Sequence, residues 1–367
     1  MGEKIRVGIL FGGKSAEHEI SIMSAKNIVA AIDRDKYQVF LMGITKNGKW
    51  CIGKSAELML EGGGTSGQGN ISENDILALV PGESDSKIVS LADSQKTQGV
   101  DVVFPVLHGP MGEDGTVQGL LKLAGIPFVG SGVLGSSVGM DKDVMKRLFR
   151  DSNIPIARFR VILSHEKDVV AFDETAEKLG LPLFIKPANM GSSVGVHKVN
   201  NREEFDAALN DAFGFDSKVV VEEFIRGREI ECAVLGNENP IASIPGEICT
   251  QHDFYSYDAK YIDENGAVLS IPAELPEDII EKIRTLAIKS FKSLCCEGMA
   301  RVDFFLKDDG SVIVNEVNTI PGFTSISMYP MLWKASGIPY DKLIDHLIRL
   351  AMERYDKEKS LKTDYTN

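Results

Sequence analysis

Residues 299–318, MARVDFFLKDDGSVIVNEVN, gather the side-chain types that handle phosphate and metal. Two strand-like runs flank Asp309-Gly310, which predicts a two-residue hairpin loop closed by Asp308 and Ser311. Counting outward, Phe305 faces Val314, Asp303 faces Glu316 and Arg301 faces Asn318. Side chains alternate in direction along a strand, so these pairs share one face. The other face carries Val302 opposite Val317, Phe304 opposite Asn315 and Leu306 opposite Ile313, and it reads as the buried side, with Asn315 its one polar member. Two facing carboxylates repel unless a cation sits between them. Such hard oxygen ligands suit Mg²⁺, which completes its shell with water and phosphate oxygens. Arg301 beside them would neutralise a transferring phosphoryl group or an oxyanion. A solvated sheet face with ordinary cross-strand pairs fits the same pattern, and a one-residue slip would send Asp303 and Glu316 to opposite faces.

Further segments suit anions. In IKPANMGSSVGV, Gly191, Ser192, Ser193 and Gly195 permit close approach of backbone and hydroxyl donors to phosphate, and Lys186 supplies a point charge. The lysine precedes the glycines, so this is no Walker A loop; a plain turn beside a surface lysine is the alternative. FGGKSAEHEIS places a glycine pair and Ser15 between a strand and a helix, where N–H groups meet anions; equally, Glu17 and Glu19 simply complement the helix dipole. In VVVEEFIRGREIE, backbone groups at Glu223 and Ile225 are placed to read an adenine edge and Glu229 to hold a ribose, unless the stretch is a charged linker. DFYSYDAKYID reads as a loop, either ordinary surface or one that closes over a ligand. His108, at a strand end, reads as structural.

These residues need a scaffold. IRVGIL, YQVFLMGIT and VDVVFPVLHG are strands, with Asn47-Gly48 turning the second into a hairpin. Ile22, Ala25, Val29 and Ile32 mark one helix; Val117, Leu120, Leu121 and Ala124, closed by Gly125, mark another. IPFVGS is a further short strand. Strand–helix alternation of this kind predicts a parallel α/β module ending near residue 130. Residues 60–98 read as loosely structured around GGGTSGQGN. A second module opens with a helix through Met140, Val144 and Leu148 and continues with strands RFRVIL, LPLFIKP, GVHKV and KVVVEEF. Asn201 and Glu204 cap its helix. A third has strand ECAVLG, a loop over about 248–262, a helix near 279–294, the hairpin and a last helix over roughly 340–355.

A net charge of −13 without a long basic run argues against nucleic acid or an anionic membrane as partner. Hydrophobic residues at 43% and charged ones at 25% fit a globular chain. Five cysteines without CxxC spacing read as reduced thiols, and no apolar run reaches membrane-spanning length, so a cytoplasmic location is expected.

Taken in order, GGKSAEHEIS, LHGPMGEDGTVQG, GSGVLGSSVGMDK, FIKPANMGSSVG, VEEFI, FYSYDAKY, GMARVDFF and NEVNTIPGFTSISMYP resemble the D-alanine–D-alanine ligase family of ATP-grasp enzymes over nearly the whole chain. The resemblance implies an α/β fold, α+β in parts, with three domains: residues 1–130, taking the first amino acid; a central ATP-grasp subdomain, 131–224; and a C-terminal one, 225–367, with metal and catalytic residues. It implies ATP-dependent joining of two D-alanines through an acyl phosphate for peptidoglycan precursor synthesis, in a cytoplasmic homodimer. Lys142, Lys186, Ser193, Glu222, Glu223, Phe224, Ile225, Glu229, Lys260, Phe305 and Asn315 would serve ATP. Asp303, Glu316 and Asn318 would hold two Mg²⁺ ions, with Mn²⁺ a substitute. Glu17, linked to Ser192 and Tyr261, would orient the first ammonium. Arg301 and the Gly322 N–H would stabilise the oxyanion, and Ser327 with the Met328 backbone would meet the second carboxylate. Related ligases making D-alanyl-D-lactate or D-alanyl-D-serine differ in the loop or the second pocket. The run Asp258 to Tyr261 resembles the dipeptide-forming kind, whereas Ile326 stands where some relatives carry His. A non-catalytic nucleotide-binding module is the alternative from another class.

Overall fold

In a computed structural model, which describes residues 3–62, 71–81, 88–91, 97–250 and 267–362, four sheets carry the chain. The strongly apolar run of β1 (Ile5–Gly12) suits a strand covered on both faces, and β1 is central, parallel to β2 (Tyr37–Ile44) and β7 (Val102–Val106). β3 (Trp50–Cys51) folds back on β2 through the expected Asn47-Gly48 turn. Helix α1 (His18–Ala31) packs on this sheet, and α2 (Gly53–Glu61) follows β3.

Two expectations here need correction. IPFVGS forms no full strand; only Phe128 bridges to Val103. The stretch 60–98 is not wholly loose, since β4 (Leu77–Leu79), β5 (Ile88–Ser90) and β6 (Thr97–Gln98) make a small antiparallel sheet. Its strands are two or three residues long, too short for alternation to show. Residues 63–70, most of the glycine-rich run, lie outside the described residues.

After α3 (Thr116–Leu123), the single helix expected around Met140 is two: α4 (Val133–Met140) and α5 (Lys142–Asp151). Asp141 divides them, because its extended backbone ends α4 while its carboxylate accepts from the N–H groups of Asp143 and Val144, both at 3.1 Å. The second sheet runs β10-β9-β11-β8 and is antiparallel: β8 (Phe159–Leu163), β9 (Leu183–Pro187), β10 (His197–Val199) and β11 (Lys218–Glu223). Alternation along β9 buries Leu183, Ile185 and Pro187 and turns Phe184 and Lys186 the other way. The buried face packs with Phe205 and Leu209 of α7 (Arg202–Ala212) and Leu179 of α6 (Phe172–Leu179).

Asn201 caps α7: its side chain accepts from the Glu204 N–H at 3.0 Å, while the Glu204 carboxylate accepts from the Asn200 N–H at 2.7 Å. Asn201→Ala is expected to lower stability by about 1 kcal/mol, measured as a reduced urea midpoint with unchanged slope.

The largest sheet has six strands, from β12 (Arg228–Gly236), β13 (Ile241–Ala242), β14 (Gly246–Thr250), β15 (Ala267–Ser270), β16 (Gly298–Leu306) and β17 (Val312–Asn318). Helix α8 (Glu277–Ser293) covers one face. A helix that patterning did not reveal, α9 (Met328–Ala335), precedes α10 (Tyr340–Lys359). Tyr329, Trp333, Leu343 and Leu347 then share one core with Val7, Phe11 and Phe104 of the first sheet. The parallel module is thereby fastened to the six-stranded sheet by buried apolar surface. No helix among the described residues is long and apolar enough to cross a membrane.

Candidate functional site

The β16–β17 hairpin has the outer register expected: Arg301 opposite Asn318 and Asp303 opposite Glu316. Its inner register differs. Lys307 N–H donates to the Ser311 carbonyl and Gly310 N–H to the Lys307 carbonyl, so the loop is three residues, 308–310, with Gly310 at φ +76°. Phe304 consequently faces Val314, Phe305 faces Ile313 and Leu306 faces Val312. A bulge next to Asp303 absorbs the extra residue and restores the pairing beyond it. Asn315 is the bulged residue and is not on the buried face: it lines a cavity together with Glu316.

On the shared face Arg301 grips Asp303 through two bonds, Nε to Oδ1 and Nη2 to Oδ2, both 2.7 Å. Arg301 Nε also lies 3.0 Å from Glu231 Oε2, and Asn318 Nδ2 donates to Asp303 Oδ2 at 3.0 Å. Burial works against the Arg301 charge, but Asp303, Glu231 and Glu316 outweigh it and hold the guanidinium firmly protonated. The donor set of Asp303, Glu316 and Asn318 is all hard oxygen, and it fits a magnesium ion.

The cavity, about 830 Å³, lies between the β9–β11 face and the β12–β16–β17 face. Lys142, Lys186, Ser193, Glu222, Glu223, Phe224, Ile225, Glu229, Phe305 and Asn315, grouped in the sequence as nucleotide residues, all line it, together with Glu316 from the metal set and Phe184, which the sequence did not single out. Lys186 Nζ donates to Glu222 Oε2 at 2.9 Å and to Asn315 Oδ1 at 3.4 Å. Lys142 Nζ donates to the Met190 carbonyl at 2.6 Å and stands 3.8 Å from Glu316 Oε2. Phe184 and Phe224 stack with centroids 5.9 Å apart, a flat apolar surface. The Glu223 carboxylate is turned to Arg158, accepting from its N–H and Nε at 2.7 Å each, while the Glu223 N–H donates to the Arg158 carbonyl at 3.0 Å.

Glu222 is buried, which raises a carboxyl pKa, yet Lys146 and Lys186 more than reverse this and bring it down to about 2. Lys186 loses to burial and gains more from Glu222 and Glu316, so its pKa is raised.

Glu17 stands at the head of α1 and accepts a 2.5 Å bond from Ser192 Oγ. Ser192 and Ser193 take left-handed conformations, φ +51° and +60°, unusual for residues with a side chain and typical of loops shaped for a ligand. Lys260 and Tyr261 lie outside the described residues, as do the rest of 251–266. Gly322 follows β17 in a turn where an added Cβ would come within 2.8 Å of Ser327 Oγ. Ser327 Oγ accepts from the Thr324 N–H at 2.9 Å, and Met328 opens α9.

Beyond Phe184, the sequence reading passed over Glu113, Glu231 and Lys146, and it took His108 as structural. Glu113 accepts from the N–H groups of Gly109 (2.7 Å) and Ile320 (3.1 Å); burial, then Glu17, pushes its pKa up to about 8. His108 Nδ1 bonds the Ile320 carbonyl at 3.0 Å, and burial favours its neutral form. Glu231 shares the face of Glu229 two residues on, a signal that strand alternation could have supplied. Lys146 lies one turn beyond Lys142 on α5, within reach of an i,i+4 reading.

Comparison with known proteins agrees with this geometry. Residues 6–131 match the D-ala D-ala ligase N-terminus and residues 148–349 the D-ala D-ala ligase C-terminus. A D-alanine–D-alanine ligase of Oceanobacillus iheyensis is 54% identical over 360 residues, covering 98% of each chain. D-alanine–D-alanine ligase A of Escherichia coli K12 is 51% identical over 361 residues, 98% of this chain and 99% of that one. Among solved structures, the D-alanine-D-alanine ligase from Coxiella burnetii superposes with a TM-score of 0.85 at 38% identity, covering 98% of this chain and 97% of that one. The VanG D-Ala:D-Ser ligase from Enterococcus faecalis does so with 0.83 at 36%, covering 95% and 100%. Full-length identity above half, together with the matched N- and C-terminal halves, makes this chain a member of the D-alanine–D-alanine ligase family.

Proposed function

We propose that the chain uses ATP to join two D-alanines into D-alanyl-D-alanine, a peptidoglycan precursor, through an acyl phosphate. The observation that carries the reading is the hairpin face, with Asp303 beside Glu316 and Arg301 beside Asn318, at the edge of a lysine-bearing cavity. The same reading divides the chain near residues 130 and 224, places ATP between the second and third parts, and takes the enzyme to be a cytoplasmic homodimer.

Lys142 and Lys186 neutralise the phosphates, Ser193 donates to them, and Phe184, Phe224, Ile225 and Phe305 enclose the base, with Glu229 on the ribose. Asp303, Glu316 and Asn318 are the residues that would hold Mg²⁺, which when bound offsets triphosphate charge. Glu17, fixed by Ser192, binds the first ammonium. The first carboxylate attacks the γ-phosphorus, forming the acyl phosphate as the bond to ADP breaks, and ADP stays bound beside it. The neutral amine of the second D-alanine then attacks the acyl carbon and loses a proton as inorganic phosphate departs. Arg301 and the Gly322 N–H receive the oxyanion, and Ser327 with the Met328 backbone meets the second carboxylate. Alignment of the three reactants is the costliest task, and orientation supplies roughly 7–11 kcal/mol in favourable cases.

Incubation with ATP, Mg²⁺ and D-alanine alone, or with D-lactate or D-serine added, tests this by mass of the product. D-Alanyl-D-alanine is expected to dominate. A depsipeptide or D-alanyl-D-serine as the main product, or no turnover, would displace the reading.

A further inference from the structure

Lys146 takes no part in the proposed reaction, yet its surroundings are specific. Its side chain is 1% exposed, and Glu222 Oε1 lies 3.1 Å from its ammonium. The other Glu222 oxygen accepts from Lys186. Two lysines therefore share one carboxylate, but only Lys186 and Glu222 line the cavity; Lys146 approaches from behind. The Phe159 ring lies 5.7 Å from the Lys146 ammonium, and Lys142 and Lys186 repel it. Glu222 is the one carboxylate paired with it among the described residues. Lys186 has other attractions, Glu316 and Glu229, and a bound polyphosphate would add one more.

We propose that Lys146 is a positioning residue for the nucleotide base: it keeps Glu222 ionised when Lys186 turns to phosphate, and so makes the cavity prefer a purine with a 6-amino group over one with a 6-oxo group. This rests on the reading of the cavity as the nucleotide site. An ionised carboxylate only accepts hydrogen bonds and suits an amino donor; a protonated one offers an O–H and suits an oxo acceptor. Away from water, a mismatched acceptor pair is strongly disfavoured. The stacked Phe184 and Phe224 beside Glu222 give the base its flat support. Losing Lys146 removes one of the two charges that offset the burial of Glu222, so its proton affinity rises.

The test compares ATP with ITP in the full-length enzyme carrying Lys146→Met, Lys146→Arg or Glu222→Gln. For Lys146→Met the ATP-over-ITP ratio of kcat/KM should fall about tenfold or more, chiefly through the KM for ATP. Its kcat at saturating ATP should change less than about threefold. The ratio should also become pH-dependent, falling as the pH is lowered, where the parent is flat. Lys146→Arg should restore the parent ratio. Should Lys146→Met not fold, Lys146→Gln, which keeps a donor but no charge, is measured in its place. A parent-like ratio in Lys146→Met, or in Lys146→Gln where that replaces it, with a shifted one in Glu222→Gln, overturns the role of Lys146 alone. A parent-like ratio in Glu222→Gln as well overturns the assignment of the base to this end of the cavity.

Discussion

Arg301→Ala is expected to lower kcat by on the order of a hundredfold or more, the usual consequence of losing an oxyanion donor. Arg301 is a partly buried cation on this face, and it has two duties there. It holds Asp303 with a two-bond grip and stands against Glu231. In the proposed reaction it also meets the negative charge that appears only as the amine attacks. Alanine removes both, leaving Asp303 and Glu231 without their shared counter-charge. Arg301→Lys separates the duties: it keeps a positive charge but not the planar fork, so turnover should recover only in part. Steady-state kinetics beside nucleotide titration checks this. Near-parent kcat in the alanine variant would remove Arg301 from the mechanism.

The second large effect is expected at Glu316. Glu316→Gln keeps the shape and one acceptor oxygen but removes the charge that faces Asp303 across the hairpin. Carboxylate ligands bind Mg²⁺ through that charge, so activity at fixed Mg²⁺ should fall by about a hundredfold. Raising Mg²⁺ should recover part of the loss, and the Mg²⁺ dependence of nucleotide binding should shift to higher concentration. An unchanged Mg²⁺ dependence would separate Glu316 from the metal. The nearby Lys142 pairing, at 3.8 Å, is long enough that its loss accounts for little of such a change.

Where the chemistry depends on period-two alternation and a local turn, it was legible in the sequence. Arg301, Asp303, Glu316 and Asn318 fall on one face by counting alone, and the structure keeps them there. That count succeeded through two departures that cancel: a three-residue loop shifted the register, and the bulge at Asn315 shifted it back. Asn315 takes up the difference, since no local signal marks a bulge, and it lies in the cavity rather than under the sheet. Contacts across the chain were out of reach. Glu113 meets Ile320 over 207 positions, and Lys146 meets Glu222 from a different element. Helix α9 is eight residues long with Pro330 inside its first turn, which pattern reading treats as a break.

The central claim, an acyl phosphate formed from D-alanine and ATP, is tested most directly by following oxygen. D-Alanine labelled with ¹⁸O in its carboxylate is turned over with ATP and Mg²⁺, and the released phosphate is analysed by mass. Attack of the carboxylate on the γ-phosphorus predicts one labelled oxygen in each phosphate formed together with D-alanyl-D-alanine. Dipeptide accompanied by unlabelled phosphate would contradict the account.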